Sequence, residues 1–319
     1  MNREPDNLSY QISMEEDIRD KARLDHEDIV RLNFIRKPGV FLYRRHYRAG
    51  LRSHIMEVLN PEDVEREKEG VIINGLRHFP KAIPLKMLRV FRKRFNNLKY
   101  AEEELRNVKI LEKFLRPDCV ARSDEFLVHY ARKDQYELII CGLQEYVEGE
   151  ILDPWSHLDK TYLVSLLSHM GFERHNDSEA IADRWVGGIR ENGVKLIEKL
   201  KQMIFQTNRV PDLAGVGNLI LTRSGNIKLV DINNISRVSF DRTIPIDDRG
   251  YPVCDKSIEA LSLLERKLIG RSLDGRDIIY NTFLDPLRMK EVKKIETRFH
   301  ALLTEDRAAS GAGQYIHRS

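Results

Sequence analysis

The residues best suited to chemistry lie in one stretch, Pro211 to Asn234, which reads PDLAGVGNLILTRSGNIKLVDINN. Asp212 and Asn218 precede two short β-prone runs, Leu219 to Leu221 and Ile227 to Val230, and Asp231 ends the second. Ser224-Gly225-Asn226 between the runs signals a hairpin. A hairpin brings its two ends together, so Asn218 and Asp231 are expected in one small region. Asp and Asn oxygens are hard donors suited to Mg²⁺, which takes few protein ligands and fills its shell with phosphate and water. Gly215 and Gly217 permit an unusual backbone in the loop before the hairpin. The same residues are also compatible with an ordinary hairpin flanked by polar turns.

This segment resembles the catalytic loop and metal hairpin of the protein kinase superfamily. There an Asp is followed by a metal-binding Asn, a hairpin and a second metal-binding Asp. The spacing of 13 residues from Asn218 to Asp231 is the usual one in that family. QEYVEG, Gln144 to Gly149, follows an apolar run and resembles the kinase hinge. The resemblance makes Gln144 the gatekeeper, with backbone groups of Glu145 and Val147 on the adenine edge. Lys86 lies in AIPLKML, and Glu104 follows 18 residues later in a helical pattern. A kinase needs a phosphate-contacting Lys held by a helix Glu. Arg89 or Lys93 replaces Lys86 if the strand register differs, and Glu102 or Glu103 replaces Glu104. The matches run from Lys86 to Asp231 in kinase order.

The chain also departs from the pattern. No GxGxxG loop precedes Lys86, and Val210-Pro211 stands where His-Arg is usual. Asp212 and Asn218 are six positions apart, where the kinase motif has about five. Ile232-Asn233 follows the second Asp in place of Phe-Gly, and no APE-like segment follows. Those departures resemble divergent bacterial kinase-like families, among them lipopolysaccharide-core and small-molecule kinases. By that resemblance ATP and Mg²⁺ are the cofactors. Asn218 and Asp231 hold the metal, Lys86 braced by Glu104 meets the phosphates, and Asp212 takes the proton of a hydroxyl acceptor. The alternative is a pseudokinase that keeps the fold and binds a protein partner without transfer.

The elements that must position these residues read as α+β. The resemblance makes this a two-lobed kinase-like fold with a β-rich N-lobe, 37–145, and a larger, mainly helical C-lobe, 146–305. Strands are expected at Gly39 to Tyr47, Ala82 to Phe91, Glu125 to Tyr130 and Glu137 to Leu143, with Lys133-Asp134 in a turn. Asn60-Pro61 opens a helix that ends at Gly70, and Asn74-Gly75 turns a short β run. Leu105, Val108, Leu111 and Leu115 form one helical stripe over Leu98 to Leu115. Helices are also expected within 156–208, at Ile258 to Ile269 and at Pro286 to Leu303. The charged arm 1–36 reads as a solvated tail or as a mobile or loosely helical arm, and the small polar tail 306–319 reads as disordered.

Bulk properties set outer bounds. With 41% hydrophobic and 32% charged residues, the chain is expected to bury a core. The 53 basic and 50 acidic side chains nearly cancel. Nucleic-acid binding through Tyr43–Arg52 or the Arg89–Lys99 run is therefore the less favoured reading. Three scattered cysteines form no CxxC pair and argue against a disulfide scaffold. The histidines show no metal-ligand spacing. No stretch suits a secretory signal or a membrane span, and a cytoplasmic location is expected.

Overall fold

The structure, a computed structural model, describes residues 16–37, 39–48, 50, 52–132, 135–171 and 178–309. The chain divides into two compact units, 1–101 with 123–146, and 102–122 with 147–319. Both strands and helices are present, so the class is α+β. Among the described residues no helix is long and apolar enough to cross a membrane. The expected turn at Lys133-Asp134 and the part of the expected tail from 310 onward lie outside the described residues, whereas 306–309, expected in the tail, continue the last helix.

The first unit begins with helix α1, His26–Val30. Strands β1, Leu42–Arg45, and β2, Ser53–Leu59, follow. Helix α2, Pro61–Glu69, has Asn60 as its cap, as its sequence predicts. The hairpin β3, Val71–Ile73, with β4, Leu76–His78, turns at Asn74 and Gly75, both at positive φ. Strand β5 is Lys86–Phe91 and strands β6 and β7 are Ser123–Arg132 and Gln135–Glu145; helix α3, Leu98–Leu115, comes between β5 and β6 in sequence and belongs to the second unit from residue 102 on. The antiparallel sheet runs β1-β2-β5-β7-β6.

Two expectations change here, and one strand is added. β5 starts at Lys86, not Ala82; Ala82 instead packs with Leu59 and Val64 beside α2, and Pro84 has no N–H for a ladder. β2 gives no alternating signal because its residues are buried on both faces. The described part of the N-terminal arm is not a solvated tail. Ile18, Leu24, Ile29 and Leu32 are buried with Met56, Val58, Leu88, Val90 and Ile139 of the sheet. They are sparse apolar anchors in a charged stretch, too few to make a periodic pattern.

The second unit holds strand β8, Glu150–Ile151, and helices α4, Lys160–His169, and α5, Ser178–Thr207. Strands β9, Arg209–Pro211, β10, Leu219–Leu221, β11, Ile227–Leu229, and β12, Ile235–Arg237, are each three residues long. Helix α6, Val253–Leu263, runs into a π-helical turn, Leu264–Leu268. Helices α7, Ile278–Phe283, and α8, Pro286–Ala309, close the chain. The core gathers the α3 stripe (Val108, Leu111, Leu115) with α5, α6 and the small strands. β9 and β12 escape sequence reading because three residues cannot show a period and no short turn joins them, as Ser224-Gly225-Asn226 joins β10 to β11.

Candidate functional site

Two ladders frame the Pro211–Asn234 segment. β10 pairs antiparallel with β11, Leu219 opposite Leu229, and the Val230 N–H donates to the Asn218 carbonyl at 2.9 Å. That is the hairpin expected from the sequence, and it sets Asn218 beside the approach to Asp231. β9 pairs with β12, Ile235 opposite Pro211. The next pair outward is tied as well, because the Asp212 N–H donates to the Asn234 carbonyl at 2.8 Å. The loop after Asp212 and the segment after Asp231 are therefore held at both ends by backbone.

Asp212 is deeply engaged. Its Oδ1 accepts from the N–H groups of Ala214 at 2.9 Å and Gly215 at 3.2 Å, and its Oδ2 accepts from Asn234 Nδ2 at 2.9 Å. Burial pushes its carboxyl up, the nearby charge of Asp231 adds to this, and the three hydrogen bonds only partly offset both. The result is a pKa of about 6. A carboxylate poised there is suited to accept a proton near neutral pH.

The loop itself is anchored from two other elements. The Leu213 N–H donates to Ser257 Oγ on α6 at 3.2 Å, and Trp155 Nε1 donates to the Ala214 carbonyl at 3.0 Å. Trp155 thus fixes this loop. Asn218 Nδ2 donates to the Asp212 carbonyl at 2.9 Å. That bond fixes which way the amide points and leaves Oδ1 as its ligand oxygen. A Cβ on Gly215 would lie 2.6 Å from Asn218 Nδ2, so glycine is required for this approach.

The donor set fits a hard cation held by few protein ligands: one carboxylate, Asp231, and one oriented amide oxygen, Asn218. Among the described residues no group of three or more His, Cys, Asp or Glu could hold a metal. Sequence reasoning passed over Asn233. It is 4% exposed, and neither its Nδ2 nor its Oδ1 finds a hydrogen-bond partner. The signal was present in the sequence as the Asn233-Asn234 pair after Asp231. Asp247-Asp248, by contrast, lies in a turn: Asp247 Oδ1 accepts from the N–H groups of Arg249 and Tyr251, and Gly250 has positive φ.

The remaining candidates lie on β5, α3 and the end of β7. Gln144 is buried on β7, opposite Met87 and Ser123. Side chains alternate along strands, so Gln144, Gly142, Arg89, Glu57, Ser123 and Glu125 share one sheet face. Lys86 is on the other face, with Leu88 and Val90, and is exposed. Arg89 is 4% exposed. The register therefore groups the expected gatekeeper with Arg89 and not with Lys86. Glu104 lies half-buried one turn before Val108 on α3, Glu145 is the last residue of β7, and Val147 follows half-buried.

No model of a known protein family matches the chain, and no curated protein matches it.

Proposed function

We propose that the chain is a phosphotransferase of protein-kinase-like fold that uses ATP and Mg²⁺ to phosphorylate a hydroxyl acceptor. The observation that carries this reading is the joint placement of Asp212, Asn218 and Asp231 by the β9–β12 and β10–β11 ladders. The five-stranded order β1-β2-β5-β7-β6, with α3 inserted between β5 and β6, supports the fold.

In this reading Asp231 and Asn218 Oδ1 hold the metal. The bound cation supplies charge neutralisation at the phosphates. Asp212 orients the acceptor hydroxyl and takes its proton as the new O–P bond forms and the bond from the γ-phosphorus to the β–γ bridging oxygen breaks, with ADP as the leaving group. Its two backbone donors and Asn234 keep the carboxylate aimed without reorganisation. Arg89 takes the phosphate-facing role first considered for Lys86, because it shares a face with Gln144. Glu145 and Val147 offer backbone groups to the adenine edge, as the kinase resemblance implies.

The test is the thermal stability of the full chain with and without ATP and Mg²⁺. A ligand at about 100 times its dissociation constant stabilises a native site by about 2.7 kcal/mol. The expected result is a rise that needs both components and disappears in Asp231→Ala. A wild-type protein indifferent to millimolar Mg²⁺–ATP sinks the proposal.

The pseudokinase reading keeps one specific observation in its favour. The expected lysine, Lys86, is exposed on the sheet face packed by the N-terminal segment. Incorporation of labelled γ-phosphate into any acceptor, or into the chain itself, separates transfer from binding alone.

A further inference from the structure

The first unit exposes an unusual run of apolar side chains. Ile72, Ile73, Leu76 and Phe79 are 69%, 51%, 68% and 62% exposed, and Ile83 and Leu85 follow at 56% and 51%. They belong to the β3–β4 hairpin and to the strap that leads from it into β5. The hairpin forms a separate two-stranded sheet. It is fastened at its base, where Arg77 Nη1 donates to the Glu69 carbonyl and a Cβ on Gly70 would lie 2.9 Å from the His78 carbonyl. Ala82, in the middle of the strap, is buried against Leu59 and Val64. The strap is thus anchored while the side chains on either side of the anchor face solvent. In the hairpin register Ile72 shares one face with Arg77 and Ile73 shares the other with Leu76, so apolar side chains stand out on both faces of the hairpin, and exposed apolar side chains gathered together mark an interaction surface.

Charge selects the partner. From Gly70 to Ala101 the sequence contains no Asp or Glu, and Arg77, Lys81 and Lys86 are interleaved with the exposed apolar residues. The nearest acidic residues before it in sequence lie on helix α2, and Glu145 of β7 stands opposite Lys86. A second copy of the chain would bring a like-charged surface against this one. Single-stranded nucleic acid wants stacking aromatics, and the patch offers one, Phe79, among aliphatics. An anionic bilayer matches both features, with acyl boundary for the aliphatic side chains and phosphate headgroups for the cations.

We propose that the β3–β4 hairpin and the strap through Lys86 form a peripheral docking surface for anionic membranes. Ile72, Ile73 and Leu76 enter the acyl boundary at the hairpin tip, and Arg77 and Lys81 meet the headgroups. This surface stands on its own observations and does not depend on the phosphotransfer reading.

The experiment is flotation of the full-length protein with vesicles of phosphatidylcholine alone or mixed with phosphatidylglycerol. The wild type is expected to float with the anionic vesicles and to be released by salt, which screens the headgroup attraction. Ile72→Ser/Ile73→Ser/Leu76→Ser is expected to lower partitioning by about tenfold or more while keeping its melting temperature, because these side chains are exposed. Arg77→Gln/Lys81→Gln is expected to weaken binding and flatten its salt dependence. Failure of the wild type to float overturns the proposal, as does equal flotation of the triple serine variant. So does a hairpin that instead dimerises the chain or binds nucleic acid, seen as a mass or gel-shift change in the serine variant without vesicle binding.

Discussion

Asn234 grips Asp212 twice, through its carbonyl to the Asp212 N–H at 2.8 Å and through its amide Nδ2 to Oδ2 at 2.9 Å. The backbone half belongs to the β9–β12 ladder and survives any side-chain change. The side-chain half holds a carboxylate and is worth more than a neutral bond, about 1.5–3 kcal/mol. Asn234→Ala is therefore expected to keep the fold, to raise the Asp212 pKa further above about 6, and to slow transfer by roughly ten- to a hundredfold. A pH–rate profile whose acid limb does not move upward in this variant contradicts the role given to Asn234.

Asp212 itself should cost the protein stability. Its folded pKa, about 6, lies above the ordinary carboxylate value. The folded state therefore binds the proton more tightly than the unfolded state. The penalty is absent below about pH 4, grows as pH rises to 6 and is full at neutrality. Asp212→Asn is expected to gain on the order of 2–3 kcal/mol at pH 7 and nothing at pH 3.5, with Asn234 turning its amide to present an acceptor. Urea unfolding at the two pH values measures this. Trp155 and Trp185 both lie in the second unit, so their fluorescence reports the relevant part.

Asn233 keeps a buried amide without partners. Each unsatisfied buried group costs about 1–3 kcal/mol. Asn233→Leu, of similar volume, is expected to raise the melting temperature of the ligand-free protein. If the amide serves the bound nucleotide or its waters, the same variant loses part of the Mg²⁺–ATP-dependent rise. A destabilised Leu variant shows that the amide is satisfied in solution.

The strand register separates two cations. Lys86→Ala is expected to leave the Mg²⁺–ATP-dependent stabilisation unchanged, whereas Arg89→Met removes it and fills the same buried volume. The opposite pattern returns the phosphate role to Lys86.

Acid should loosen the first unit through Asp17. Burial alone would raise its carboxyl, but hydrogen bonds and charge from Arg19, with Arg94 adding a further bond, hold it well below the usual carboxylate range. Its stabilisation is present above about pH 4 and fades as pH falls through that value. Asp17→Asn leaves buried Arg19 with the half-buried Glu137 as its remaining acid and should cost about 3 kcal/mol at pH 7. The gap between the two proteins should narrow below pH 4, as followed by circular dichroism.

What was legible from sequence is what depends on local rules. The Asn60 cap, the Asn74-Gly75 hairpin, the α3 stripe and the Asn218–Asp231 hairpin each rest on a few neighbouring residues, and each formed where it was expected. The types of Asp212, Asn218 and Asp231 suggested the phosphotransfer chemistry proposed above. Tertiary structure decided the rest. β9 and β12 are too short for a period, yet their pairing is what delivers Asn234 to Asp212. The sparse apolar residues of the N-terminal segment became core only because a sheet face was there to bury them. The proposal of Arg89 over Lys86 rests on strand register. A shift of a single residue exchanges the two faces, and only the pairing of β5 with β2 and β7 sets it.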